Sequence, residues 1–215
     1  MKSGKPEYIV VEGPIGVGKT SLARRLAQAL GARALLEQPE ENPFLERFYH
    51  SRKYFALPTQ LFFLFQRARQ IQELKQGELF TSGFVSDFLI EKDRLFAHTN
   101  LEVDELRLYE QVYQQMSFDL PVPDRVIYLQ APVDVLLERI RRRGIVYEGL
   151  IDRAYLQGIV DAYTQFFHHY TAAPLLVVNA AEINFVDHDD DFQTLLDYIS
   201  RIRSGRHFFN PLTSV

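Results

Sequence analysis

The chain has 215 residues, 47% hydrophobic and 24% charged, enough to bury one substantial core. Its net charge of −4 argues against a nucleic-acid polymer as partner, and the absence of cysteine excludes disulfides, thiolate catalysis and thiolate-bound zinc. No apolar run approaches the roughly 18 residues of a membrane span, and Met1–Pro6 carry no signal-like apolar region, so a cytoplasmic protein without a membrane partner is expected.

In chain order, Tyr8–Val11 reads as a buried strand and Ser21–Leu30 as a helix stopped by Gly31. Between them lies Gly13-Pro14-Ile15-Gly16-Val17-Gly18-Lys19-Thr20, followed by Ser21, which fits G-x-x-x-x-G-K-[ST]. Such a P-loop turns backbone N–H groups toward a polyphosphate, with Lys19 reaching the β/γ-phosphates and the Thr20 hydroxyl ligating Mg²⁺. Ala32–Leu36 is a second strand ending at Glu37, and Asn42–Tyr49 a short helix with Asn42 as N-cap and Pro43 in its first turn. Pro58–Gln76 is helical with Gly77 as its stop; Phe84–Ser86 is a third strand closed by Asp87; Leu101–Phe118 is a helix ending before Pro121 and Pro123. Val126–Leu129 is a fourth strand, Val133–Arg143 a helix, Gly144–Leu150 a loop and Arg153–Tyr170 a helix. Leu175–Val178 is the fifth strand and Phe192–Ile202 the last helix. This alternation predicts one three-layer α/β domain over residues 1–215, a five-stranded parallel sheet flanked by helices.

Ligands of such sheets sit at the carboxyl ends of the strands, which nominates Glu37, Asp87 and Asn179. A carboxylate beside a γ-phosphate accepts the proton of an attacking hydroxyl or holds Mg²⁺; position alone does not divide these jobs between Glu37 and Asp87, and solvated strand-end carboxylates are the plain alternative.

From Tyr8 to Asn179 the sequence resembles the deoxynucleoside kinases of the P-loop NTPase superfamily. Glu37-Gln38-Pro39-Glu40-Glu41-Asn42-Pro43 resembles the family's E-x-x-x-x-N-P stretch, which implies Glu37 as general base. Tyr49, eleven residues before Gln60, is similar to the tyrosine on the sugar 3′-hydroxyl, and Gln60, seven before Arg67, to the glutamine that reads the base edge. The same resemblance implies that Arg67 and Asp93 read the base in members accepting deoxycytidine and purine deoxynucleosides. It also implies that Glu148 holds the 3′-hydroxyl from the edge of a lid over about 143–150, and that Arg139 and Arg143 stabilise the phosphoryl in flight. Asp87 is implied as a substrate and Mg²⁺ residue with Thr20. An amide such as Gln60 offers both a donor and an acceptor, which suits an adenine or cytosine edge. Phe44, Phe55 and Phe62 fit base stacking or plain core equally.

Two positions depart from the pattern: Phe88 and Ile145 stand where the family commonly has arginine, and Lys92 or Arg94 is the expected source of replacement charge. Arg141 and Arg142 read as a solvated helix face, and Asp187–Asp191 as the start of the last helix. The expected function is therefore ATP- and Mg²⁺-dependent phosphorylation of a deoxynucleoside 5′-hydroxyl in nucleotide salvage, by a homodimer with Leu101–Phe118 as a candidate face. The competing readings are a nucleoside monophosphate kinase such as a thymidylate kinase, and a non-kinase P-loop nucleotide switch.

Overall fold

The computed structural model describes residues 7–77, 83–116 and 122–211, with residues 73–77 described by backbone alone. Met1–Pro6, the expected helix end at Phe118 and the turn at Pro121 lie outside them. Along the chain run β1 (Glu7–Glu12), α1 (Lys19–Leu30), β2 (Arg33–Leu35), a 3₁₀ turn (Pro39–Glu41), α2 (Leu45–His50), α3 (Arg52–Gly77), β3 (Gly83–Ser86), α4 (Glu91–Asn100) and α5 (Val103–Gln115). There follow β4 (Arg125–Gln130), α6 (Val133–Arg143), a second 3₁₀ turn (Val146–Leu150), α7 (Arg153–His169), β5 (Leu175–Asn179), α8 (Asp189–Arg201) and β6 (Arg206–Phe209).

The strands form a parallel sheet in the order β2-β3-β1-β4-β5-β6. Six strands among the described residues correct the expected five: β6 pairs with β5 at the edge, Leu175 opposite Arg206 and Val178 opposite Phe209. Side chains alternate across the sheet. Ile9, Val11, Ile127, Leu129, Leu176 and Val178 enter one core with Leu22, Leu26, Leu136 and Leu195 of α1, α6 and α8. Tyr8, Val10, Val126, Tyr128, Leu175 and Val177 enter the other with Ile159, Tyr163 and Phe167 of α7. Both faces are thus covered, and the strands read as continuous apolar runs.

Three further expectations are corrected. Asn42 closes the 3₁₀ turn rather than capping α2; its Oδ1 accepts from Phe44 N at 3.0 Å and its carbonyl from Leu45 N at 3.2 Å, so it shapes the approach two residues early. Helix α3 begins at Arg52, leaving Pro58 inside it. Helix α4 was not anticipated; it carries Lys92 and Arg94, while Phe88 lies before its first residue. The acidic run does place Asp189, Asp190 and Asp191 in the first turn of α8, although His188, not an aspartate, is the N-cap.

Gly13 has φ +152° and runs against β4, where an added Cβ would strike the backbone carbonyl of Leu129. A side chain is excluded there by backbone, and the loop is thereby pressed against the C-terminal end of the sheet.

Candidate active site

Lys19 opens α1, and its Nζ folds back to donate to Gly13 O at 2.8 Å and Pro14 O at 3.2 Å. The next residue, Thr20, donates its hydroxyl to Asp87 Oδ2 at 2.5 Å, while Asp87 Oδ1 accepts from Glu37 N at 2.7 Å. The first turn of α1 and the segments leaving β2 and β3 are thus tied together through one buried carboxylate, which burial and the adjacent Glu37 raise above the ordinary range.

Glu37 is held on both oxygens. Arg67 Nη2 bonds Oε1, and Lys92 Nζ donates to Oε2 at 2.7 Å. Burial alone would raise this carboxyl, but Lys92 and Arg67 outweigh it and bring it down to about 2. Burial and the Lys92 cation lower Lys19 as well, to about 8, which here disfavours its charged form. Lys92 itself, although buried, is raised because Glu37 and Glu12 more than offset its desolvation.

Arg67 also pairs through Nη1 with Asp93 Oδ2, and Gln60 donates to Asp93 O at 2.9 Å and to Asp93 Oδ1. Asp93 is fully buried and does not border the cleft, so it meets a ligand through Gln60 and Arg67 rather than directly. On the other wall Arg143 holds Glu148, Nε to Oε2 at 3.0 Å, with a second bond from Nη2 to Oε1. Tyr49 stacks on Tyr147 at 5.9 Å, and burial with neighbouring Tyr155 and Glu148 raises its hydroxyl well above the usual range.

These side chains line one cleft: Lys19, Thr20, Glu37, Tyr49, Gln60, Arg67, Lys92, Arg143 and Glu148 all border it. Besides Tyr49, the aromatic lining is Phe48, Phe63 and Phe96 with Tyr155, not the Phe44, Phe55 and Phe62 considered from sequence. Phe44 and Phe55 flank the Arg47 guanidinium instead, at 5.3 and 5.1 Å. Of the new residues only Phe63 left a trace in the sequence: it stands four before Arg67 on α3, and the guanidinium lies 5.4 Å from its ring.

A second cleft runs along the other side of the P-loop, bordered by Gly16, Val17, Gly18, Ser21, Arg139 and the Ala181–Val186 loop after β5. Arg139 spans it, donating to Val17 O at 3.3 Å and Ala180 O at 2.7 Å. Gly16, Thr20 and Arg143 border both clefts. Two ligands, one on each side, would therefore meet over the first turn of α1, whose free N–H groups and dipole favour negative charge.

Thr20 and Asp87 place a hydroxyl and a carboxylate oxygen side by side at that turn. This all-oxygen pair fits Mg²⁺, which binds a protein through few ligands and completes its shell with phosphates and water. Among the described residues no group of three or more His, Asp or Glu could hold a metal ion by itself, and no helix is long and apolar enough to cross a membrane.

The family model for deoxynucleoside kinase matches residues 9–203. The deoxyguanosine kinase of Bacillus subtilis is 31% identical over 204 residues, covering 91% of this chain and 97% of its own. The deoxyadenosine kinase of Lactobacillus acidophilus is 30% identical over 194 residues, covering 84% and 88%. In fold, the chain is similar to a solved deoxyadenosine kinase from M. mycoides with products dCMP and a flexible dCDP bound: TM-score 0.77, 23% identity, 90% of this chain and 98% of that one covered. With a P-loop and a strand-end carboxylate facing one shared cleft, and a family model spanning nearly the whole sheet, the chain belongs to the deoxynucleoside kinase family.

Proposed function

We propose that residues 1–215 act as one kinase domain that transfers the γ-phosphoryl of ATP to the 5′-hydroxyl of a deoxynucleoside carrying a purine or cytosine base. The observation that carries this reading is the meeting of the two clefts at Gly16, Thr20 and Arg143, with Glu37 on the acceptor side and the P-loop between them. The deoxynucleoside would lie with its sugar between Tyr49 and Glu148 and its base against Gln60 and Arg67. The triphosphate would lie over Gly13–Ser21, with its ring beside Ala181–Val186.

Glu37 accepts the 5′-hydroxyl proton. At a pKa of about 2 it is a weak base, which suits a loose phosphoryl transition state in which the proton leaves late. Its first task is orientation, and the Arg67 and Lys92 contacts fix the carboxylate for it. Lys19 exchanges its two loop carbonyls for phosphate oxygens, and Arg139 and Arg143 add positive charge as the lid over 143–150 closes. Mg²⁺, held by Thr20 and Asp87, would neutralise charge on the β- and γ-phosphates. Phe88 is buried in the core, so the charge it does not supply comes from Lys92, which borders the acceptor cleft; Arg94 is turned away to Glu110 at 3.0 Å. A cytoplasmic homodimer serving nucleotide salvage is the setting that goes with this activity.

A monophosphate acceptor would require a cation free to take its phosphate. Arg67, the cation beside Gln60 at the base end of the cleft, is committed to both Glu37 and Asp93, so that end of the acceptor wall is built for a neutral base. The test is Glu37→Gln. Phosphoryl transfer should fall by about 10³-fold or more while ATP affinity, read by titration calorimetry, stays within about threefold. Retained turnover would move the base to another group.

A further inference from the structure

Two glutamines of α3, Gln66 and Gln70, are buried yet border neither cleft. They stand four residues apart and so share one face of the helix. Gln70 Nε2 donates to Leu36 O at 2.9 Å and Gln66 Nε2 to Gln38 O at 3.1 Å, the main-chain carbonyls of the two residues that flank Glu37. Gln66 Nε2 also donates to Glu41 Oε2 at 3.2 Å, at the end of the first 3₁₀ turn. Carbonyls and a carboxylate only accept, so both amides are turned with their nitrogens toward this segment. The Glu37 N–H is meanwhile held by Asp87 at 2.7 Å, so the Leu36–Glu37 peptide is fixed at its oxygen and at its nitrogen.

We propose that Gln66 and Gln70 are positioning residues for phosphoryl transfer: together they clamp the backbone on either side of Glu37 and set where its carboxylate stands. This rests on the reading of Glu37 as the base. The Arg67 and Lys92 bonds run to the carboxylate oxygens, the very atoms that must receive the incoming hydroxyl. Those bonds have to be shared once a substrate arrives, whereas bonds to main-chain carbonyls are the same whatever fills the cleft. The cations therefore decide how the carboxylate is turned, and the clamp decides its distance from the acceptor. A misplacement of about 1 Å costs a reacting group on the order of 10²-fold in rate. The clamp is kept at a cost to the fold. Among the described residues Gln70 Oε1 is buried without a partner, a penalty that a methionine of the same length would avoid.

The test is Gln70→Met in the full chain, with kcat and the KM values for deoxynucleoside and ATP measured together and the melting temperature alongside. Removing the donor should lower kcat about tenfold, part of the loss that full misplacement causes, and leave the KM for ATP within about twofold. The melting temperature should move little, because the same substitution removes the orphaned Oε1. Gln66→Met should act alike from the other side of Glu37, and it carries the test if Gln70→Met does not fold. In a Glu37→Gln background either substitution should change the residual rate by less than twofold, because its effect runs through Glu37. Wild-type kcat in the methionine variants overturns the proposal, and so does a tenfold fall that persists without Glu37. Failure of the base reading shows separately, as a Glu37→Gln protein that turns over like the wild type, which removes the clamp's purpose with it.

Discussion

Glu37 is gripped by two cations that do different things. Arg67 is itself anchored to Asp93 and cannot follow a substrate, whereas Lys92 ends a single flexible stem and borders the acceptor cleft. Lys92→Met should therefore lower kcat by on the order of 10²-fold, as loss of a preorganised donor does, and leave nucleoside affinity within about threefold. Steady-state kinetics beside equilibrium binding checks this, and an unchanged kcat would discard Lys92 as a catalytic cation. The depressed Lys19 gives a pH test with a definite sign. A lysine whose pKa falls to about 8 is charged below that pH and loses its charge as pH rises through it, so kcat/KM for ATP should decline above about pH 8. Bound polyphosphate favours the charged form, so kcat at saturation should hold to higher pH. Glu37, near 2, contributes no acid limb in the range where the protein is assayed. A kcat/KM profile flat to pH 9.5 would contradict this account of Lys19. Lys19 and Thr20 were legible in advance from the P-loop spacing and Glu37 from its place at a strand end, whereas Gln60 was reached only through the resemblance to the family. That the Gln60 amide bonds Asp93 was not legible, since it depends on where α4 packs against α3.

At the level of elements, four of the five strands visible in the sequence, β1, β3, β4 and β5, are almost wholly buried, and β2 is a half-exposed edge strand. Strand β6 escaped because Arg206-His207-Phe208-Phe209 has neither an apolar run nor alternation, and its first residue serves another element. Arg206 Nη2 donates to Phe167 O at 2.8 Å and His168 O at 2.9 Å, satisfying carbonyls at the end of α7. Helix α4 escaped because it opens on charges, Glu91-Lys92-Asp93-Arg94, of which Lys92 and Asp93 point into the protein and remove the usual amphipathic signal. The P-loop is the opposite case, where geometry dictates residue type. Gly13→Ala would set a Cβ against the Leu129 carbonyl at positive φ, a strain of about 1–3 kcal/mol or more, and the loop would leave its place on β4. ATP affinity should fall at least about tenfold and the melting temperature should drop; calorimetric binding and thermal unfolding measure both. Wild-type ATP affinity in that variant would mean the loop does not depend on its contact with β4.

For the whole molecule, the sheet brings β1, β2 and β3 side by side, and Asp87 after β3 joins the first turn of α1 to the segment after β2 through Thr20 and the Glu37 amide. Around that knot the chain builds two clefts rather than one, and the division explains why a nucleotide-binding loop is paired with an acceptor wall of tyrosine, amide and carboxylate. At the base end of the acceptor wall Arg67 is spent on Glu37 and Asp93, which suits a neutral nucleoside better than a nucleotide. The most direct test of that claim is initial-rate turnover of Mg·ATP with each of the four deoxynucleosides and, in parallel, each of their 5′-monophosphates. The account expects monophosphate formation from at least one purine or cytosine deoxynucleoside and no diphosphate from any monophosphate. Phosphorylation of a monophosphate with the free nucleosides left untouched would contradict it.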